Sequence, residues 1–203
     1  MGAEAPSSEA RLIGRARDGD VQAFGRLIEL NKDYVYNAVY HLVGNAADAD
    51  DIAQEVFLRA FKNLGGFEGR ARFSTWLYGI MLNSVRSFWR RRTLRSTASL
   101  DGGDEDSPRP DPPANSDGPA AVSDRRERVA AVRSAIAALD EESREIVVLR
   151  DIKGMAYEEL ADVLGIPVGT VKSRLHRARA ALRQALEPLY GPEQSDDGGT
   201  PDG

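Results

Sequence analysis

The chain has 203 residues, 41% hydrophobic and 29% charged, with two histidines, no cysteine and a formal net charge of −5. That length suits one large domain or two small ones, and no apolar run approaches the roughly 18–20 residues of a membrane span. Without cysteine there is no disulfide framework, thiol nucleophile or Cys-ligated zinc.

The first ten residues are polar and acidic and lack the basic-then-apolar order of a secretory signal, so the expected location is cytoplasmic. The net charge conceals a segregated pattern, and a partner feels the pattern more than the total. Residues 69–100 carry seven arginines and no acid. Residues 101–124 carry seven acids and one arginine, and residues 163–186 carry five basic residues, one histidine and no acid. Two basic blocks therefore flank an acidic one.

In chain order, Ser8 is placed to cap a short helix to about Asp18. A longer helix follows from about Val21 to Val43, with Phe24, Leu27, Ile28, Val35, Ala38, Val39 and Leu42 at helical spacing and Gly44 as its stop. Asn45 is placed to cap a third helix, with Asp48 three residues on. Its inward stripe is Ile52, Val56 or Phe57, and Ala60, ending at Gly65-Gly66. A fourth helix is predicted from near Ser74 through Trp76, Leu77, Ile80, Val85 and Phe88 to the Arg90-Arg91-Arg92 run.

From 96 to 123 the composition turns to Gly, Pro, Ser and Asp. Such a segment buries too little to offset its ordering entropy, so it reads as a disordered acidic linker. The tail 191–203 reads the same way. Between them lie helices over about Asp124 to Leu139 and Glu141 to Ile152, a short one over Tyr157 to Leu164, the turn Gly165-Ile166-Pro167, and a longer basic helix from Val168 to about Leu186. No window alternates like a half-buried strand. The expected fold is all-α: two small helical domains, 8–95 and 124–190, joined by the linker.

A short helix, a glycine turn and a basic helix make a helix-turn-helix. In its last helix Val171, Leu175, Ala178 and Leu182 form the inward stripe. The first turns of a helix in the major groove reach base edges, which nominates Lys172, Ser173 and His176 for base reading. Arg174, Arg177 and Arg179 suit phosphates, which fix register without reading sequence. A solvated basic face on a core helix is the alternative.

On the third helix Asp48, Asp51 and Glu55 share a face with Asp50 and Gln54 at its edge. An acidic face suits a basic protein partner. The same acids also stabilise a first turn through the helix dipole, and Glu55 can pair with Arg59. A carboxylate metal site would need ligands from several facing helices, and neither His41 nor His176 belongs to a Glu-x-x-His motif. No catalytic residue, metal or cofactor is expected.

Three runs carry a family resemblance. Leu139 to Asp151, Tyr157 to Ala161 and Gly165 to Arg179 resemble domain 4 of the extracytoplasmic-function (ECF) sigma factors of the sigma-70 family. Asp48 to Phe61 resembles the domain 2 helix that grips the β′ clamp helices of RNA polymerase. Phe73 to Arg92 is similar to the element that melts and reads the −10 promoter region.

The resemblance implies a four-helix domain 2 over 8–95, a helix-turn-helix domain 4 over 124–190 for the −35 element, and a transcription initiation factor rather than an enzyme. Its implied partners are core RNA polymerase (the β′ clamp helices and the β subunit), promoter DNA and an anti-sigma factor, with no membrane insertion. Asp48, Asp51, Gln54 and Glu55 match the polymerase contact. Asn83 matches the asparagine that contacts a flipped base, a task for which aromatic walls and an amide are the fitting chemistry. Phe73 and Ser74 fall in the adjoining loop, and Arg86, Arg90 and Arg91 would track phosphates. Trp76 reads as core before base platform.

Gly79, Ser87 and Trp89 stand where the family usually has arginine, aspartate and leucine, which puts the −10 preference of this chain in question. The linker would span roughly 30 Å r.m.s., and at most about 90 Å, enough to separate two DNA-reading modules by more than a helical turn. Its acids fit either a plain spacer or an RNA-like strand in a basic tunnel. A free-standing helix-turn-helix regulator is the competing reading of the whole chain.

Overall fold

The structure is a computed structural model. It describes the backbone of residues 8–98 and 119–190 and the side chains of residues 8–95 and 127–187. All regular structure among the described residues is helical: α1 (Ser8–Arg17), α2 (Val21–Val43), α3 (Ala46–Asn63), a 3₁₀ turn (Leu64–Gly66), α4 (Phe73–Ala98), α5 (Pro119–Ala138), α6 (Glu141–Val147), a π-helical segment (Val148–Ile152), α7 (Tyr157–Leu164) and α8 (Val168–Tyr190).

The helix ends follow their sequence signals. Asp20 accepts from the N–H groups of Gln22 and Ala23 at 3.0 Å each and caps α2. Gly44, at φ 78°, closes that helix by donating to the Tyr40 carbonyl. Asn45 caps α3 through the Asp48 N–H at 3.1 Å, and Asp140 caps α6 through the Ser143 N–H at 2.9 Å. Gly165, at φ 69°, ends α7, and the Pro167 carbonyl accepts the Val171 N–H at 3.0 Å to open α8.

Four expectations need correction. Phe73 and Ser74 lie in the first turn of α4, not in a loop, because Phe73 is drawn inward against Phe67 and Trp76. The ends of the expected linker, 96–98 and 119–123, continue α4 and begin α5. Pro119 is tolerated there because a first-turn N–H has no helical partner. The remainder of the linker and the tail lie outside the described residues. Ser8 is the first residue of α1 rather than a cap before it. The helix from Glu141 changes pitch at Val148, where the Lys153 N–H reaches the Val148 carbonyl five residues back.

Helices α1 to α4 form one bundle and α5 to α8 a second. The first is centred on Leu27, Val35, Val39, Leu42, Val56, Leu77, Met81, Leu82 and Val85, all buried, and the second on Ile146, Leu149, Leu160, Val171 and Leu175. The two bundles also pack on one another and share one apolar core.

Across that junction the Tyr34 hydroxyl donates to the Lys153 carbonyl at 2.7 Å, and the Lys153 ammonium lies 4.4 Å from the Tyr34 ring centre. Arg144 donates to the Leu42 carbonyl of the first bundle and to the Ile136, Ala137 and Leu139 carbonyls of the second. Its guanidinium also lies 5.3 Å from the Trp89 ring centre. One planar fork thus satisfies four backbone acceptors from both sides.

His41 sits in this junction with Nδ1 buried and without a hydrogen-bond partner. Burial, with Arg133 and Lys153 of the second bundle adding repulsion, pushes its pKa down to about 4. A histidine held below its ordinary value takes up its proton more readily once the bundles part, so acid favours the parted state. Packing between the bundles should therefore be at full strength above pH 6.5 and weaken progressively from there to about pH 4. The His41→Gln variant should lose most of that slope, as measured by distance-sensitive fluorescence between labels on the two bundles.

Candidate functional site

The two faces of α8 are cleanly divided. Val171, Leu175 and Ala178 are buried, with Leu182 partly so, while Lys172, Ser173, His176, Arg177, Arg179 and Arg183 are exposed. Arg174 is half-buried and pairs with Glu142 at 2.9 Å. Arg179 makes a two-pronged pair with Asp151 of the π-helical segment, and this holds its guanidinium close to α8. Of the residues nominated for base contact, Lys172 has its ammonium 5.7 Å from the Tyr157 ring centre. Ser173 donates back to the Thr170 carbonyl. The helix therefore offers a ridge of cations and hydroxyls, fixed from behind by three apolar residues.

The second basic ridge runs along α4. Asn83 is exposed at mid-helix, and its carbonyl accepts from the Ser87 hydroxyl. Arg90 donates to that hydroxyl at 3.0 Å. Ser87, one of the departures from the family pattern, is thus tied to both flanking residues of the ridge. Arg91 lies 3.8 Å from Glu55 of α3. Arg86 faces α6, where its Nε and Nη2 donate to the two carboxylate oxygens of Glu145 at 2.7 and 2.6 Å. Glu145 is only 2% exposed.

At the N-terminal end of α4 lies an open cleft of about 350 Å³, lined by Phe67, Glu68, Arg70, Thr75, Trp76 and Gly79 among others. Phe67, Phe73 and Trp76 form a cluster of rings 5.2–5.7 Å apart. Phe73 is 2% exposed and forms the base of the cluster, whereas Trp76 is partly buried and also lines the cleft. A Cβ at Gly79 would meet nothing within 4 Å, so the arginine usual in the family would project beside this cleft and narrow it. The far wall comes from the other bundle: Asp162 and Val163 of α7.

On α3, Asp51 and Gln54 are exposed and Asp48 and Glu55 partly so. Glu55 accepts from Arg59 at 2.5 Å, so the intrahelical pair anticipated for it is formed. Leu58 and Phe61 continue the same face at 63% and 45% exposure, an apolar extension that the reading of α3 for charge passed over. No group of acids and histidines able to hold a metal ion occurs among the described residues. No described helix is long and apolar enough to cross a membrane.

Glu145 escaped the reading of the sequence, although Glu145-Ile146-Val147-Val148-Leu149 is a run with an acid at the edge of four apolar residues. An acid buried beside such a run is a sign of a partner elsewhere in the chain. What the sequence could not show is that the partner is Arg86.

An exposed basic helix on each of two bundles marks a DNA-binding protein. Family models agree with that division: sigma-70 region 2 matches residues 27–95 and sigma-70 region 4 matches residues 130–182. The chain is 35% identical over 190 residues to the RNA polymerase sigma-H factor of Pseudomonas aeruginosa, covering 89% of this chain and 95% of that one. It is 34% identical over 194 residues to the ECF RNA polymerase sigma factor SigW of Bacillus subtilis, covering 87% and 96%.

Among solved structures, CnrH in complex with the cytosolic domain of CnrY matches with a TM-score of 0.66 and 30% identity, over 90% of this chain and 99% of that one. The sigma factor RpoE in complex with the anti-sigma factor NepR from Bartonella quintana matches at 0.68 and 25%, over 82% and 98%. The chain belongs to the ECF sigma factors of RNA polymerase and is a promoter-directing transcription initiation factor.

The division of α8 has a direct thermodynamic test. Leu175→Ala should cost about 2–5 kcal/mol of stability through the cavity it leaves. Lys172→Ala, on the exposed face, should cost less than about 0.5 kcal/mol. Urea denaturation of the two variants beside the parent chain measures both.

Proposed function

We propose that the first bundle, residues 8–95, docks on core RNA polymerase through α3 and reads the −10 region through α4, while the second, 124–190, reads the −35 element through α8. The observation that carries this assignment is the division of labour on the surface. An acidic face on α3 and an arginine ridge on α4 share one bundle, and an exposed basic face of α8 stands on the other.

On α3, Asp48, Asp51, Gln54 and Glu55 supply charge for the β′ clamp helices, and Leu58 and Phe61 supply apolar area. Such a surface combines steering with a buried anchor. The β subunit would meet the second bundle. On α4, Asn83 and the cleft beside Trp76 would receive an unpaired base, with Ser74 at the entrance and Phe73 as packing beneath. Arg86, Arg90 and Arg91 would follow the backbone. On α8, Lys172, Ser173 and His176 would meet base edges, and Arg174, Arg177 and Arg179 would meet phosphates. The bond-making chemistry belongs to the polymerase, and the protein acts with it in the cytoplasm as a non-enzymatic factor.

Control by an anti-sigma factor is supported by the two solved relatives, one in complex with an anti-sigma factor and the other in complex with the cytosolic domain of CnrY. The linker between the bundles would span the distance between the two promoter elements.

Binding to sigma-free core RNA polymerase, by native gel or size exclusion, tests the docking face. The parent chain should form a one-to-one complex, and Asp51→Ala/Glu55→Ala should weaken it at least about tenfold, the equivalent of about 1.4 kcal/mol. Equal binding by both would remove α3 from the interface. On promoter DNA, with polymerase present, Lys172→Ala or His176→Ala should cost about 1–3 kcal/mol at particular −35 positions. Arg177→Ala should weaken all sequences alike and lower the salt slope by roughly one. Equal losses on cognate and scrambled −35 DNA would take Lys172 off the base-reading face.

A further inference from the structure

Carboxylates of the second bundle stand on the first bundle's DNA-facing side at three points. Glu145 of α6 holds Arg86 in a two-pronged pair and is nearly inaccessible to water. Glu159 of α7 lies 3.9 Å from Arg72, just before α4. Asp162, also on α7, helps wall the cleft formed by Phe67, Trp76 and Gly79. The spacing of the three contacts follows α4 from its start to its middle, the path a nucleic-acid backbone would take along the ridge.

A phosphate and a carboxylate present the same chemistry to a guanidinium: two oxygens, negative charge and a planar fit to the fork. We infer that the α6–α7 face of the second bundle is an internal competitor for single-stranded nucleic acid, with Glu145 occupying the phosphate position at Arg86 and Asp162 of α7 walling one side of the base cleft. The inference rests on the reading of α4 as the −10 surface.

The arrangement is selective. The base-reading face of α8 stays exposed, so closure takes up Arg86 and adds Asp162 to the cleft wall while leaving the duplex-reading surface open. A sigma factor in this state could touch double-stranded DNA but would hold an unpaired strand weakly. Loading on polymerase, which needs the bundles apart to reach two promoter elements, would uncover both together.

The junction is also built to be reversible. Glu145 and Arg86 are each matched by a strong hydrogen-bonding partner when closed and by water when open. Removing one partner strands the other in the closed state, which is strongly unfavourable for a buried charge.

The parent chain has no cysteine, so Lys62→Cys on α3 and Gln184→Cys on α8, both exposed, allow donor and acceptor dyes to be attached at known points on the full chain. Energy transfer reports closure. Fluorescence anisotropy reports binding of a short random-sequence single-stranded DNA and, separately, of a random-sequence duplex. Glu145→Gln should lower energy transfer and tighten single-strand binding about tenfold or more, with duplex binding changed less than twofold. Glu159→Gln/Asp162→Asn, in which the glutamine can still accept the Ala156 N–H that caps α7, should move both readouts the same way by a smaller factor. Arg86→Gln should open the chain without the gain in single-strand affinity, because it removes the cation that both ligands want.

Unchanged single-strand affinity in both acid variants would overturn the inference, as would equal gains for single strand and duplex. Binding of the same variants, undyed and with Lys62 retained, to core polymerase separates the two levels. If polymerase binds and the acid variants do nothing, internal competition fails and the sigma reading of α4 stands; if the parent chain does not bind polymerase, the underlying reading fails.

Discussion

A carboxylate buried to 2% exposure must be matched by a cation, and Glu145 finds its match on the other bundle. The placement of the whole second bundle answers to this requirement. Glu145 is followed by Ile146 to Leu149, all buried, so it cannot turn to water without dragging them out of the core. Arg86, for its part, is held ionised by the pair, its pKa raised above the ordinary guanidinium value chiefly by the Glu145 hydrogen bonds. Arg144 adds a second fixed point by collecting carbonyls from both bundles, and Trp89 caps it. An ion pair of this kind is a poor source of net stability but a good source of specificity, because a shifted register would leave both charges unmatched.

Much of the architecture could be read from the residues in order. Periodicity placed α2, α3, α7 and α8, and the turn glycines Gly44 and Gly165 both adopt the left-handed conformation that their positions demand. Asn45 and Pro167 behave as their chemistry requires. These features are local: each is decided within about one helical turn, where sequence distance and spatial distance agree. The basic face of α8 belongs to the same class, because a helix with a fixed apolar stripe has no freedom in where its other side chains point.

The features that escaped are long-range. Arg86 and Glu145 are 59 residues apart, and nothing in either neighbourhood specifies the other. The inward rotation of Phe73 depends on Phe67 and Trp76 closing over it, so a residue that reads as the last of a loop becomes the first of a helix. Gly79 stands inside a helix, where glycine costs up to about 1 kcal/mol relative to alanine. In the folded chain it is also the open side of a cleft. Charge patterning found the acids of α3 but not the Leu58 and Phe61 that extend them, since exposed apolar residues on an amphipathic helix look like core until the core is seen.

The π-helical segment from Val148 to Ile152 deserves a last consideration. A helix accommodates one surplus residue by widening a single turn, and every residue beyond the bulge is then rotated by about 100° from where an unbroken α-helix would carry it. Here that rotation brings Asp151 round to Arg179 and delivers the Lys153 carbonyl to Tyr34. The clasp on the groove-reading helix and the clasp on the neighbouring bundle are therefore geared to the same few backbone atoms. Deleting one residue from this stretch would unwind both together, which makes the segment a mechanical coupling between how α8 is held and how the two halves of the molecule meet.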